Sequence, residues 1–171
     1  MCSVSNIPER RKTPPLRGSL VKWEYTNTVS KITLSMCLAD AGIVRVTYFP
    51  GAVPEDEPSY AVSPGYSAPG AEIREYDEDG VHVVETSLLR IRIRTEEQKV
   101  DFYDVATDEP LLTDEGGFGR ESKDWTGDAR VWIRKNLQET EHFFGLGDKP
   151  CALNLRGKYF SCLLYTSPSP R

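Results

Sequence analysis

From residue 19 onward, apolar and polar positions alternate in short runs, and no segment sustains a helical period. Ser19 to Tyr25 reads as a first strand with Leu20 and Trp23 as its apolar positions. Lys31 to Leu38 alternates strictly, with Ile32, Leu34, Met36 and Leu38 on one face and Lys31, Thr33 and Ser35 on the other. Asp40-Ala41-Gly42 supplies a turn, and the β-branched and aromatic run Ile43 to Phe49 returns as a hairpin that Pro50 ends. Five prolines and three glycines between 50 and 70 predict a long irregular loop, either a functional, partner-facing one or a tolerated insertion. Glu75 to Gly80 reads as an acidic turn. Val81 to Ser87 and Leu89 to Thr95 read as two strands, the second setting Leu89, Ile91 and Ile93 against Arg90, Arg92 and Arg94. Val100 to Asp104 is a further strand, Thr107 to Pro110 a turn before Leu111 and Leu112, and Glu115 to Gly119 a glycine-rich loop. Asp128 to Leu137 closes the series with Ala129, Val131 and Ile133 on one face. Many short strands joined by turns predict an all-β fold, an antiparallel β-sandwich.

Length bounds what this sandwich can carry. The chain has 171 residues, enough for one domain with a true core but short of the roughly 250 that a (β/α)8 barrel takes. Its 21 basic against 26 acidic residues give a net charge of −5, so no general attraction to nucleic acid or anionic lipid is expected. Apolar runs fall far below the ~20 residues of a membrane-crossing helix. Arg10, Arg11, Lys12 and Arg17 sit in a polar N-terminal tail, residues 1–18, interrupted by Pro8, Pro14 and Pro15; a solvated tail is the plainer reading than a nucleic-acid patch. The start lacks the apolar core of a secretion signal, which sets a cytoplasmic location as the expectation. Cysteines at 2, 37, 151 and 162 have no C-x-x-C spacing, and His82 and His142 have no ligand spacing to them. Reduced thiols, with no metal and no cofactor, are expected.

The last ten residues stand apart. Cys162 to Arg171 equals, residue for residue, the translation of TGT CTC TTA TAC ACA TCT CCG AGC CCA CGA, one frame of a transposase adapter used in sequencing libraries. Residues 162–171 are therefore expected to be non-native, with native sequence ending near Ser161 in mid-domain. Without Arg171 the balance is 20 basic to 26 acidic, a net charge of −6.

Few motifs carry chemistry. Gly145-Leu146-Gly147 lacks the third glycine and following helix of a dinucleotide site, and no G-x-S-x-G, H-E-x-x-H or P-loop is present. Three arginines on one strand read as the wet face of a half-buried sheet before an anion site. Glu139, Glu141 and Asp148 read as solvent-facing acids before a glycosidase carboxylate pair. The glycines at 145 and 147 permit positive φ or close backbone approach, letting the chain leave a sheet sharply. Phe143 and Phe144 are expected to anchor that exit in the core, with Asp148, Lys149 and Arg156 tying the turn or facing a following domain.

The run Gln138 to Phe160, QETEHFFGLGDKPCALNLRGKYF, closely resembles the end of the N-terminal domain of glycoside hydrolase family 31, the α-glucosidase and α-xylosidase family. There an F-[FY]-G-L-G-[ED]-[KR] sequence precedes a segment ending in R-G-[KR]. Gly42 to Phe49 is similar to the family's I-[IV]-R-V strand, and Pro58 to Val62 to its S-[YF]-A-V element. Val100 to Asp104, Pro110 to Leu112 and Gly116 to Gly119 are similar to its F-Y-D … L … G-F-G block. The resemblance spans about residues 19 to 161.

That resemblance implies a β-sandwich of galactose-mutarotase-like type over residues 19–161, packed in the family against a (β/α)8 barrel. The barrel holds two catalytic aspartates of a retaining mechanism at positions this chain does not reach. The family's sugar-touching W-N-x-D loop follows R-G-[KR]; here the chain runs Gly157-Lys158-Tyr159-Phe160-Ser161 and departs. No catalytic residue is carried over. The implied barrel-facing or substrate-proximal motif is Phe144, Gly145, Leu146, Gly147, Asp148, Lys149, Arg156 and Gly157. The parent is expected to hydrolyse α-glycosidic bonds, with an α-glycoside as substrate and its own barrel as partner, and the fragment to be inactive. A free-standing β-sandwich carbohydrate-binding or adhesion module is the alternative.

Overall fold

Antiparallel pairing accounts for every strand of the computed structural model, which describes residues 9–13, 21–54, 72–121, 130–145 and 151–159. The chain divides into two compact units, Met1–Asn136 and Leu137–Arg171. The first unit holds the strands β1 (Glu9–Thr13), β2 (Val21–Thr26), β3 (Ile32–Asp40), β4 (Ile43–Pro50), β5 (Arg74–Glu78), β6 (Val81–Glu85), β7 (Leu89–Arg94), β8 (Lys99–Asp104), β9 (Pro110–Leu112), β10 (Asp114–Glu121) and β11 (Arg130–Lys135). Strands β1 to β4 form one meander, β5 to β9 a second, and β10 and β11 a two-stranded ribbon.

The two meanders face each other as a β-sandwich. From β2 and β3 come Trp23, Tyr25, Leu34, Met36 and Leu38; from β6, β7 and β8 come Val84, Ile91, Ile93 and Val100, all in one buried cluster. The alternation foreseen for 31–38 and 89–95 sets these residues inward, and registry stacks Trp23 opposite Met36, Tyr25 opposite Leu34 and Val84 opposite Ile91. Burial of each such side chain stabilises by about 1.5–3 kcal/mol. Thr33 and Ser35, on the other face of β3, are buried as well. The Thr33 hydroxyl donates to Gly51 O at 2.6 Å and lies 3.1 Å from Thr26 Oγ1, which offsets the cost of taking it from water.

Turn chemistry follows the sequence. Asp79 and Gly80 both have positive φ, 50° and 78°, the requirement of a two-residue hairpin turn, which Asp-Gly meets at low cost. Asn27 Oδ1 accepts from Val29 N and Ser30 N at 2.9 Å, and Asp104 Oδ1 from Ala106 N and Thr107 N, each side chain standing in for a backbone acceptor.

Three expectations change. Residues 9–13, within the presumed polar tail, form the edge strand β1, paired with β2 from Glu9↔Thr26 to Thr13↔Lys22. An edge strand contributes backbone hydrogen bonds and needs no alternating apolar set, so Glu-Arg-Arg-Lys-Thr carries no periodic signal. Most of Glu75 to Gly80 is likewise strand, β5, another charged edge, and only Asp79 and Gly80 make the turn. The glycine-rich stretch 115–119 lies inside β10, not in a loop. A register shift between Asp114 and Gly117 puts Gly117 at φ +64°, where a Cβ would meet Glu97 O at 2.9 Å. At Gly119 a Cβ would strike the Trp132 indole at 2.1 Å. These glycines are what strand and bulge demand. Of the predicted 50–70 loop, 51–54 is irregular and the remainder lies outside the described residues.

Candidate functional site

The motif singled out in the sequence falls in the second unit, described over 137–145 and 151–159. Two segments are tied together there by polar groups. Leu155 N donates to Phe143 O at 2.7 Å. Asn154 Oδ1 accepts from Phe143 N at 3.4 Å and Arg156 N at 3.1 Å, while Asn154 Nδ2 lies 2.9 Å from His142 Nδ1. With its oxygen committed to two amides, Asn154 donates through Nδ2, so His142 accepts at Nδ1 and carries its proton on Nε2. The Arg156 guanidinium donates through Nη1 to the carbonyls of Gln138 at 2.6 Å and Glu141 at 2.5 Å. Arg156 therefore holds the 138–141 turn, and it is the backbone of that turn, not a carboxylate, that receives its charge.

Gly145 and Gly157 have φ of +107° and +70°, the left-handed region in which a side chain is strained. Leu146, Gly147, Asp148 and Lys149 lie outside the described residues. Phe143 and Phe144 do not anchor an exit in the core: they are 42% and 63% exposed, as are Leu153 at 79% and Tyr159 at 90%. Phe143 is held by backbone and amide hydrogen bonds, which leave its ring outward; His142 and Phe144 rings are 6.4 Å apart. Glu141 spends Oε2 on Gln138 N at 3.2 Å, and Glu139 is exposed, so the acids of this stretch serve the turn and the solvent. Asn154, the hub, was not singled out by the sequence; nothing marks one asparagine in a loop until its partners are known.

The first unit carries the other charged groups. Each arginine of β7 meets acids: Arg90 pairs with Glu85 at 2.9 Å and with Asp108, Arg92 with Glu78 at 3.2 Å, and Arg94 with Asp101 at 2.7 Å. Hydrogen bonding to Arg90 holds Glu85 below the usual carboxylate range and raises the arginine. The three-arginine face is thus an ion-pair ladder, not an open anion site. Buried Asp101 and Asp114 fix the ribbon: Asp101 Oδ1 accepts from Asp114 N at 2.7 Å, Asp114 Oδ2 from Val100 N at 2.7 Å, and Lys135 Nζ reaches Asp114 Oδ1 at 2.5 Å. Tyr48 stacks on Phe118 at 4.8 Å and donates to Gln98 O; burial pushes its phenol well above the ordinary value.

Between the first two sheets lies a cluster built on His82, which is 3% exposed. His82 Nδ1 is 3.0 Å from Asp77 Oδ1, the oxygen that also receives Arg10 Nη2 at 2.8 Å. Glu75 Oε2 accepts from Trp23 Nε1 at 3.1 Å and sits 3.9 Å from His82 Nε2. Burial, then the nearby Arg10 charge, holds His82 below its ordinary value, and hydrogen bonding from Arg10 lowers Asp77. Burial also raises Tyr25, whose ring lies 5.8 Å from the imidazole.

Comparison with known proteins bears on most of the chain. A family profile described as the glycosyl hydrolase 31 N-terminal galactose mutarotase-like domain matches residues 33–166. The span begins in β3 and includes both motif segments, and runs five residues past Ser161. The GH31 dextranase of Flavobacterium johnsoniae, as a variant complexed with isomaltotriose and as the enzyme complexed with glucose, shares the fold at a TM-score of 0.65 and 21% identity, over 88% of this chain. The chain spans 17% of the dextranase's length. No curated protein matches.

Proposed function

The chain belongs to the glycosyl hydrolase 31 N-terminal galactose mutarotase-like domain family, and on that premise we propose that it is the N-terminal sandwich of a retaining α-glycosidase of α-glucosidase type. The observation that carries this reading is the continuous family match through 33–166, motif segments included. Hydrolysis in the parent is assigned to a (β/α)8 barrel of the same polypeptide, and this part contributes a scaffold and a docking face to it. The outward Phe143, Phe144, Leu153 and Tyr159 support such a face, since exposed aromatic and aliphatic groups clustered in sequence suit burial by another domain. Phe144, Gly145 and Gly157 belong to that docking motif, with Arg156 as the residue that shapes it; Leu146, Gly147, Asp148 and Lys149 complete it. The glucose and isomaltotriose held by the dextranase support a glucose-containing substrate. The setting we propose is cytoplasmic, in keeping with the thiols of Cys37 and Cys151.

The test sets the complete coding sequence of the source gene beside residues 1–161. The complete product is expected to hydrolyse a chromogenic α-glucoside and the 1–161 product to show no turnover above a denatured control. Turnover by 1–161 contradicts the division of labour. A gene that continues into an unrelated domain, with saccharide binding but no hydrolysis, favours the free-standing binding module instead.

A further inference from the structure

Strand β1 is joined to β2 through its backbone, but its one described side chain, Arg10, crosses to the other sheet. There it meets Asp77 on β5. The same carboxylate oxygen takes His82 Nδ1 from β6, so a cation and an imidazole share one acceptor. An ionised Asp77 draws the neutral imidazole's proton to Nδ1. That leaves Nε2 as a bare lone pair, buried and without a hydrogen-bond partner. The Tyr25 hydroxyl is buried without one too. An unsatisfied acceptor beside a carboxylate 3.9 Å away is a place where a proton changes the bonding pattern. Neutral imidazole has nothing to offer Glu75, while imidazolium sets a charged N–H within 3.9 Å of its carboxylate.

We propose that His82 is a proton-operated latch on β1: neutral, it shares Asp77 with Arg10 and the edge strand stays fastened across the sandwich; protonated at Nε2, it sets a full positive charge against Asp77 and Glu75, and the repulsion lets Arg10 and β1 go. The balance is one proton, gained from solvent at Nε2. A cleft of about 460 Å³ lined by Arg10, Asp77, Asp79, Val81 and Arg94 brings water to the exposed side of Asp77. The charges around the imidazole act as follows. Arg10 of β1 opposes its protonation; Glu75 and Asp77 of β5 favour it. Trp23 and Tyr25 of β2 contribute an N–H to Glu75 and a neutral ring, and β7 offers Ile93 opposite His82. Arg94, on the far side of the cleft, is tied to Asp101. Protonation therefore places a second cation on the oxygen that Arg10 uses, and the two compete. Arg10, half in solvent, is the one free to leave.

Hydrogen exchange by NMR on the 171-residue chain, with the imidazole signals followed in parallel, tests this. His82 and His142 are the two histidines, and a His142→Gln variant assigns them. Between pH 7.5 and 5, the amides of β1 are expected to lose protection about tenfold beyond the intrinsic pH effect, with the midpoint of the His82 titration. Amides of β3 keep theirs. Arg10→Gln, at an exposed position, removes the charge that opposes protonation, and is expected to raise the His82 midpoint and to leave β1 poorly protected at every pH. Asp77→Asn is expected to lower the midpoint. Protection of β1 that stays constant while His82 titrates overturns the latch. So does a His82 midpoint unmoved by Arg10→Gln, or loss of β3 and β1 protection together, which marks global acid unfolding.

Discussion

The sandwich interior and the 137–159 segment are both rich in aromatic and aliphatic residues, yet they are held by opposite means. In the interior, Trp23, Leu34, Met36, Ile91 and Ile93 are wholly shielded from water, and polar bonds such as Trp23–Glu75 and Gln98 Nε2 to Ile32 O at 2.7 Å fasten one sheet to the other around them. In 137–159 the order is reversed. Arg156 and Asn154 hold the backbone, and Phe143, Phe144, Leu153 and Tyr159 face out while Leu155 is buried. The contrast separates a part that is stable because it buries its own apolar surface from a part that presents such surface. Composition alone does not tell these apart, because both contain phenylalanine, leucine and tyrosine in similar company.

Substitutions in the two regions separate the two modes of support. Trp23→Ala removes the largest buried side chain and leaves Glu75 without its indole N–H. A loss of about 3–5 kcal/mol in denaturant unfolding is expected, and a loss under about 1 kcal/mol contradicts the interior as described. Asp114→Ala orphans Val100 N and removes the partner of Lys135. It is expected to cost about 2 kcal/mol and to raise exchange in β10 and β11 before β2 and β3; uniform loosening of all strands counts against a local anchor. Arg156→Ala should leave the sandwich's unfolding midpoint within about 0.5 kcal/mol of the parent. Its effect belongs to the 138–143 backbone, whose amide protection should fall; unchanged exchange there removes Arg156 from its bracing role. The chain by itself is expected to self-associate through its outward apolar groups; Phe144→Ser with Leu153→Ser is expected to have the smallest effect on stability, near zero, while shifting it toward monomer in light scattering. Unaltered self-association places the sticky surface elsewhere, with the exposed Val131 and Ile133 of β11 as the next positions to change.

The ribbon stands between these extremes. All six residues of β11 are exposed, and Val131 and Ile133, which its alternation sets on one face, are 62% and 52% accessible. Period-2 patterning predicted the strand correctly but not its depth, because alternation reports which side chains share a face and says nothing of what covers that face. The arginines of β7 teach the converse. Their alternation with Ile91 and Ile93 marked a half-buried strand, and their partners Glu85, Glu78 and Asp101 emerge only when neighbouring strands align.

Legibility in the candidate site was similarly divided. Of the glycines at 145 and 147 read as permitting positive φ, Gly145 has it, since that property is local to one residue, and Gly147 lies outside the described residues. The outward turn of Phe143 and Phe144, the Asn154 hub and the carbonyls under Arg156 depend on two segments meeting eleven to eighteen residues apart, and no local pattern encodes the meeting.

Sequence alone determined the all-strand fold, the inward set of Trp23, Leu34, Met36, Ile91 and Ile93, and the family resemblance, because alternation and motif order are written along the chain. Tertiary structure decided the rest: the edge strand β1, the burial of His82, and the bonds that cross the sandwich. Arg10 lies 67 residues from Asp77, and Trp23 lies 52 from Glu75. Such contacts carry no periodicity. They exist only once hydrophobic burial has set the two sheets face to face, and the polar groups then bond to whatever that packing has brought within reach.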